Sequence, residues 1–241
     1  MVPLVNPELY YQILAIEGHH TKYKVLIENN SGTKIEYSGS NLVSLSLSSR
    51  LFTDDSFSVG GVGSSKIEME IIPTTETIKK MAEIDVYARL ESGNLVSEWV
   101  PQGVYFIYTR EHLQTTETLN AQEGLKIVAY DAMLKADTFV LEVDQSLSGW
   151  PKKMNTLVSE ICSYMGVQLD SGTVISSDLE CEADYSMTRR DYLSEIAKAH
   201  AGNWVIDYTG KLKLVNVFNE YNLLATENYI PITFGGTRIL V

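Results

Sequence analysis

The sequence predicts a mainly β protein with an α+β part: a β-barrel module followed by a smaller module of two helices and a hairpin. Three observations predict it. Short segments of period-two alternation, punctuated by Gly, Ser and Asn, fill the chain from about Lys22 to Phe139. From about Trp150 the apolar spacing changes to three and four residues, the period of a helix face. The stretch "NWVIDYTGKLKLV" then reads as strand, tight turn and strand, with Gly210 available for a positive φ. A chain of 241 residues holds one large or two ordinary domains. The expected division is 1–139 for the barrel, 140–218 for the α+β module and 219–241 for the start or return of a further β element.

Taken in order, "KYKVLIEN" and "KIEYSG" flank "NSGT", a hairpin signal. "LVSLSLSS" alternates apolar residues with Ser, as a half-buried strand does. "KIEMEII" alternates and stops at Pro73, and "EIDVYARL" and "GVYFIYTR" continue the pattern. Strands at this spacing suggest an antiparallel barrel or sandwich. The intervening "DDSFSVGGVGSS" is glycine-rich, but it has no Lys followed by Ser or Thr and leads into a strand. That context excludes a phosphate loop and leaves a bulged strand or a crossover loop.

In "PKKMNTLVSEICSYMG" the residues Met154, Leu157, Val158, Ile161, Cys162 and Met165 form one helical face. Pro151 suits the first turn of that helix and Gly166 its C-terminal cap. The second helix is "TRRDYLSEIAKAHAG". Thr188 is its N-cap, Asp191 completes a pattern like a capping box, and Gly202 closes it.

This helix carries a polar cluster, Arg189, Arg190, Asp191, Glu195 and His200. At about 100° per residue, Tyr192, Leu193, Ile196, Ala197 and His200 share one face, and His200 lies about 180° around from Asp191. Acid and imidazole point apart, so the cluster is not an active site. His200 reads as a packed histidine near the helix end, where a positive charge also suits the dipole. Arg189 and Arg190 sit in the first turn, where positive charge is mildly unfavourable. Pairing with Asp178, Glu180, Glu182 or Asp184 accounts for them best, ahead of a contact with a neighbouring subunit.

No other chemistry emerges. His19, His20, His112 and His200 have no metal-ligand spacing, and HExxH and GxSxG are absent. Cys162 and Cys181 read as buried free thiols of a reducing compartment. Trp99, Trp150 and Trp204 read as core anchors rather than a sugar site. Carboxylates are plentiful, but nothing selects a catalytic pair. The expectation is no catalytic residue, no cofactor and no metal. With 19 basic and 31 acidic residues the formal net charge is −12, which disfavours stable nucleic-acid binding. The N-terminal "MVPLVNPELYYQILAIEG" lacks a signal-peptide pattern, and no run approaches the roughly 20 apolar residues of a membrane helix, so no membrane insertion is expected.

The pattern Thr188, Arg190, Leu193, Ile196, Ala197, Gly202, Val205, Ile206, Asp207, Gly210, Lys211 and Leu212, behind a β-rich module ending in "GLKIVAYDAMLKAD", resembles the tail hub or tail-tip proteins of bacteriophages and phage-derived contractile particles. That family includes baseplate hubs and the N-terminal structural part of tail-associated lysins. "VPQGVYFIYT" is similar to the strand that leads out of the first barrel in that family. The matching regions cover most of residues 40 to 217. The resemblance implies a virion structural protein without catalytic residues. It further implies a homotrimeric ring at the tail tip that joins the tail tube to a distal spike, fibre or lysin. The acidic balance of the chain fits that picture, because a negative channel lining lets DNA pass without sticking. Two other classes remain as alternatives, a carbohydrate-binding receptor-adsorption module and the N-terminal part of a tail-associated cell-wall hydrolase.

Overall fold

The computed structural model describes residues 6–49, 58–73, 77–113, 124–141 and 149–216, together with two short strands at 233–234 and 237–238. Residues 54–57 of the glycine-rich segment and most of 219–241 lie outside the described residues. The chain forms two compact units. The first comprises Met1–Ser48, Ser65–Asp131 and Tyr208–Gly210, and the second Ser49–Ser64, Ala132–Asp207 and Lys211–Val241.

The first unit opens with a helix that periodicity does not announce, α1 (Pro7–Leu14). Local chemistry starts it: the Asn6 side chain accepts from the Leu9 amide at 3.1 Å, and Pro7 occupies the first turn. Ile13 is its one buried residue. The strands follow as β1 (His20–Glu28), β2 (Lys34–Ser38), β3 (Leu42–Ser48), β4 (Lys66–Ile71), β5 (Glu83–Ser92), β6 (Leu95–Val96), β7 (Val100–Leu113) and β8 (Gly124–Tyr130).

The β1–β2 hairpin is set by Asn29, whose side-chain oxygen accepts from the amides of Ser31 and Thr33 at 3.0 and 2.8 Å. The register then pairs Val25 with Tyr37 and Ile27 with Ile35. All ladders are antiparallel, in the order β2-β1-β5-β7-β8-β4-β3, with β6 paired to β5. The expected antiparallel β-module is therefore present. Closure into a barrel is not seen: no ladder joins β2 to β3 among the described residues, and the sheet is open.

Period-two alternation puts Val25, Ile27, Ile67, Met69, Ile84 and Ile127 into one core. Along β3 the alternation is broken at Val43, where the register shifts between Leu42 and Ser44. Leu42 therefore joins Leu45 and Leu47 against the core although its spacing from them is odd. A second irregularity near Gln102 precedes Gly103, whose φ of 148° and whose closeness to the Tyr105 ring leave no room for a side chain.

The second unit contains a 3₁₀ turn at Ala132–Ala136, β9 (Lys152–Lys153), α2 (Met154–Met165), β10 (Glu180–Cys181), α3 (Arg189–Ala199), β11 (Gly202–Ile206) and β12 (Leu212–Asn216). The short strands β13 (Thr233–Phe234) and β14 (Thr237–Arg238) pair with each other. All six apolar positions expected for the α2 face are buried, and Gly166 takes the left-handed C-cap with φ 71°.

Two terminal details differ from the sequence reading. Pro151 lies ahead of the first turn, because Lys152 and Lys153 first pair as β9 with β10 and the helix begins only at Met154. Its peptide bond to Trp150 is cis. At the end of α3, His200 is the C-cap and Ala201, not Gly202, takes the left-handed position with φ 51°. Gly202 instead starts β11, where a Cβ would meet the Val215 carbonyl oxygen at 2.9 Å. Glycine is required there for close strand approach.

Candidate functional site

The 188–212 segment is where sequence reasoning concentrates, and the second unit is built around it. Thr188 and Asp191 form a capping box: the Asp191 amide donates to the Thr188 hydroxyl at 3.2 Å, and the Thr188 amide donates to the Asp191 carboxylate at 2.8 Å. The Thr188 hydroxyl also donates to that carboxylate at 2.7 Å. Together with the amide, it holds the Asp191 carboxyl below its ordinary pKa.

The arginines do not meet the acids expected from their neighbourhood. Arg190 forms a two-pronged pair with Asp137 through Nε and Nη2. Its Nη2 also donates to the Met133 carbonyl at 2.9 Å, and its Nη1 to the Val62 carbonyl at 2.7 Å. One guanidinium thus ties α3 to the 3₁₀ turn and to the glycine-rich segment. Arg189 pairs with no acid among the described residues. It donates to the Thr138 hydroxyl at 2.7 Å and to the Phe139 carbonyl at 2.6 Å, and it stacks on the Tyr164 ring at 3.4 Å. Asp178, Glu180, Glu182 and Asp184 play no part in holding either arginine. A planar guanidinium is suited to carbonyl oxygens and rings as well as to carboxylates, and the carbonyls are nearer here.

The glycine-rich segment runs beside β11. The Gly60 amide donates to the Gly202 carbonyl at 2.9 Å, Trp204 to Gly61 at 2.8 Å and Gly63 to Trp204 at 2.9 Å, with Val62 bridging Trp204 in parallel. Asn203, fully buried, seals the pairing: its side chain accepts from the Gly61 amide at 2.7 Å and donates to the Ser58 carbonyl at 2.8 Å. Gly60 lies so close to Lys198 that an added Cβ would fall 2.5 Å from its Cγ, and its φ is 91°. These glycines admit close packing, and the amides of Gly60, Gly61 and Gly63 are bonded within the second unit.

His200 is half-buried at the helix end, as its place on the apolar face implied. Its two ring nitrogens are both engaged, Nδ1 with the Ile196 carbonyl at 2.8 Å and Nε2 as acceptor from the Ser176 amide at 2.9 Å. With Nε2 accepting from Ser176, Nδ1 is the nitrogen that donates, to the Ile196 carbonyl. Of the tryptophans only Trp204 is a core anchor, fully buried and donating to the Leu193 carbonyl at 2.8 Å. Trp99 is half-buried under the cations of Lys24 and Arg89, and Trp150 is half-buried beside Tyr192. Cys162 and Cys181 are buried free thiols. Burial pushes the Cys162 thiol up to about 11. It also raises Cys181, with the charge of Glu195 adding to the effect. Neither thiol sits in a setting that makes a nucleophile.

Among the described residues, no group of His, Cys, Asp and Glu could hold a metal ion. No helix among them is long and apolar enough to cross a membrane. The arrangement can fix a fold and present a surface: its hydroxyl–carboxylate pair, Thr188 with Asp191, is spent on capping α3.

No protein-family model and no curated protein matches this sequence. The fold, however, is shared with solved structures. The prophage MuSo2 43 kDa tail protein of Shewanella oneidensis superposes with a TM-score of 0.50 at 12% identity, covering 82% of this chain and 56% of that one. A tail protein of Neisseria meningitidis MC58 gives 0.49 at 10% identity, covering 87% and 54%. Prophage tail protein gp18 of Listeria monocytogenes EGD-e gives 0.44 at 9% identity, covering 88% and 55%. The chain thus spans little more than half the length of the proteins it resembles. At such identities the likeness is one of fold: this chain has the mainly β, α+β fold of a prophage tail protein.

Proposed function

We propose that this chain is a structural protein of a bacteriophage or prophage tail. In this reading it forms a homotrimeric, baseplate-hub-like ring at the tail tip, between the tail tube and a distal spike, fibre or lysin. The observation that carries the reading is the coincidence of two signals. The fold is that of the MuSo2 tail protein. The residues behind the hub resemblance, Thr188, Arg190, Gly202 and Gly210 among them, have architectural duties in capping, tying and turning.

In the ring, the open edges at β2 and β3 would be closed or covered, completing a barrel that the isolated chain leaves open. Subunits of a threefold ring meet through heterologous contacts. The same reading makes the chain non-enzymatic and free of metal and cofactor, and its acidic balance would keep DNA from sticking as it passes.

Imaging of the intact particle is the direct test, with threefold density on the tail axis expected. Single copies on the outer tail surface would overturn the hub assignment. Zymography on bacterial cell walls is expected to show no cleared band; a cleared band would favour the lysin-type alternative.

A further inference from the structure

We infer that the groove between residues 180–187 and helix α3 is a docking site for a basic peptide segment of a partner protein, anchored by an apolar side chain. This goes beyond the tail reading and rests on the second unit alone. The groove encloses about 570 Å³, and Met154, Cys181, Met187, Tyr192 and Ala199 supply its apolar lining. That is room for a few side chains. Tyr192 holds the wall in shape: its hydroxyl donates to the Glu182 carbonyl at 3.1 Å and accepts from the Asp184 amide at 2.9 Å. Two methionines give a lining that adapts to an inserted aliphatic group.

Charge decides the class of occupant. Glu180, Glu182, Asp184 and Glu195 border the groove, against the single cation Lys198. That ammonium is already bound to Glu195 at 2.7 Å. The nearby arginines that could have neutralised the rim turn elsewhere, Arg190 to Asp137 and Arg189 to the Thr138 hydroxyl, the Phe139 carbonyl and the Tyr164 ring. The side chains of Glu180 and Glu182 form no hydrogen bond or ion pair among the described residues. Asp184 accepts from the Ser186 amide and hydroxyl and Glu195 from Lys198, so Glu180 and Glu182 are the two rim carboxylates without a partner among the described residues, above an apolar lining. Lysine or arginine flanking a leucine-like side chain complements both features. A bare metal ion fits poorly, since no ligand cluster is present among the described residues.

The test titrates the full chain with a blocked peptide of alternating lysine and leucine at low ionic strength, with spermidine in parallel, and maps the peptide by amide chemical shifts. Saturable binding is expected, with shifts confined to Met154 and residues 180–199. It should weaken roughly tenfold in Glu180→Gln/Glu182→Gln and several-fold in Met187→Ala, and fall as salt rises. The proposal is overturned if no saturable binding occurs, if the shifts lie elsewhere, or if the charge variant binds as the parent does. Spermidine binding as tightly as the peptide, or self-association abolished by the same charge variant, overturns it equally. Because the readout needs no tail particle, its failure leaves the tail reading untouched, and the converse holds as well.

Discussion

Arg190 grips Asp137 with two of its nitrogens, although 53 residues separate them in sequence, and the same guanidinium reaches the carbonyls of Val62 and Met133. The ion pair itself contributes little, because the Asp137 side chain is 55% exposed. The two carbonyls matter more, since partly buried acceptors lose their donor when the guanidinium is removed.

Arg190→Ala is therefore expected to lower stability by about 1–3 kcal/mol. Arg190→Lys should recover only a minor part, because a single ammonium cannot reproduce the forked grip of a guanidinium on three separate partners. Asp137→Asn should cost distinctly less than either. Urea denaturation of the three variants checks the ranking. A lysine variant as stable as the parent would reduce Arg190 to a point charge.

How much of this was legible in the sequence depends on distance along the chain. The α2 face, the capping box and the β11–β12 hairpin are local patterns, and 3.6- or two-residue periods reveal them. That Arg190 needed a partner was equally visible. Which partner was not, because Asp137 and Val62 are brought to it by the path of the backbone. The glycine-rich segment is the extreme case. Gly61 and Asn203 are 142 residues apart, and their pairing leaves no periodic trace. Helix α1 escaped notice for the opposite reason: at 8 residues with one buried side chain it is too short to show a face, and Asn6 and Pro7 alone mark its start.

The cap at Thr188 yields a prediction with a sign in pH. Donation from the Thr188 hydroxyl, and then from its amide, holds the Asp191 carboxyl below its ordinary value of 3.8. A carboxyl depressed in the folded state adds stability that is fully present above the ordinary value and lost as pH falls through the folded one. Thr188→Ala is expected to cost about 1 kcal/mol at neutral pH. Asp191→Asn should flatten the acid limb of the stability profile below about pH 4. Denaturation midpoints measured from pH 7 down to pH 3 check both. A variant profile parallel to the parent's in that range would mean that the Asp191 charge adds nothing.

Gly202 offers a test of close packing rather than of helix termination. Its missing side chain faces the Val215 carbonyl oxygen at 2.9 Å and Leu214 Cδ1 at 3.0 Å. Gly202→Ala must push backbone away from backbone and should destabilise the chain by about 1–3 kcal/mol. Ala201→Gly should instead be neutral or mildly stabilising, because Ala201 bears the positive φ of 51°. If Gly202→Ala were silent and Ala201→Gly damaging, glycine would have the helix-closing role that the sequence suggested.

Thiol chemistry separates the two cysteines. Cys162 lies on the buried face of α2, 5% exposed, with its thiol pushed up to about 11 by burial. At pH 7.5 such a thiol is ionised to roughly one part in three thousand, and the thiolate is the reactive form. Cys181 is also raised, by burial first and the Glu195 charge second, but at 8% exposure it borders the groove beside α3. Iodoacetamide is therefore expected to spare both residues at pH 7.5 under conditions where the denatured chain labels at once. On moving to pH 9, Cys181 should label first, with Cys162 following only at the rate of unfolding. Cys181→Ser should remove the early phase and leave the late one. Intact-mass measurement with peptide mapping distinguishes the two sites. Stoichiometric labelling of native Cys162 at neutral pH, with the far-ultraviolet dichroism unchanged, would show that the α2 face is open to solvent and that the packing described for it is wrong.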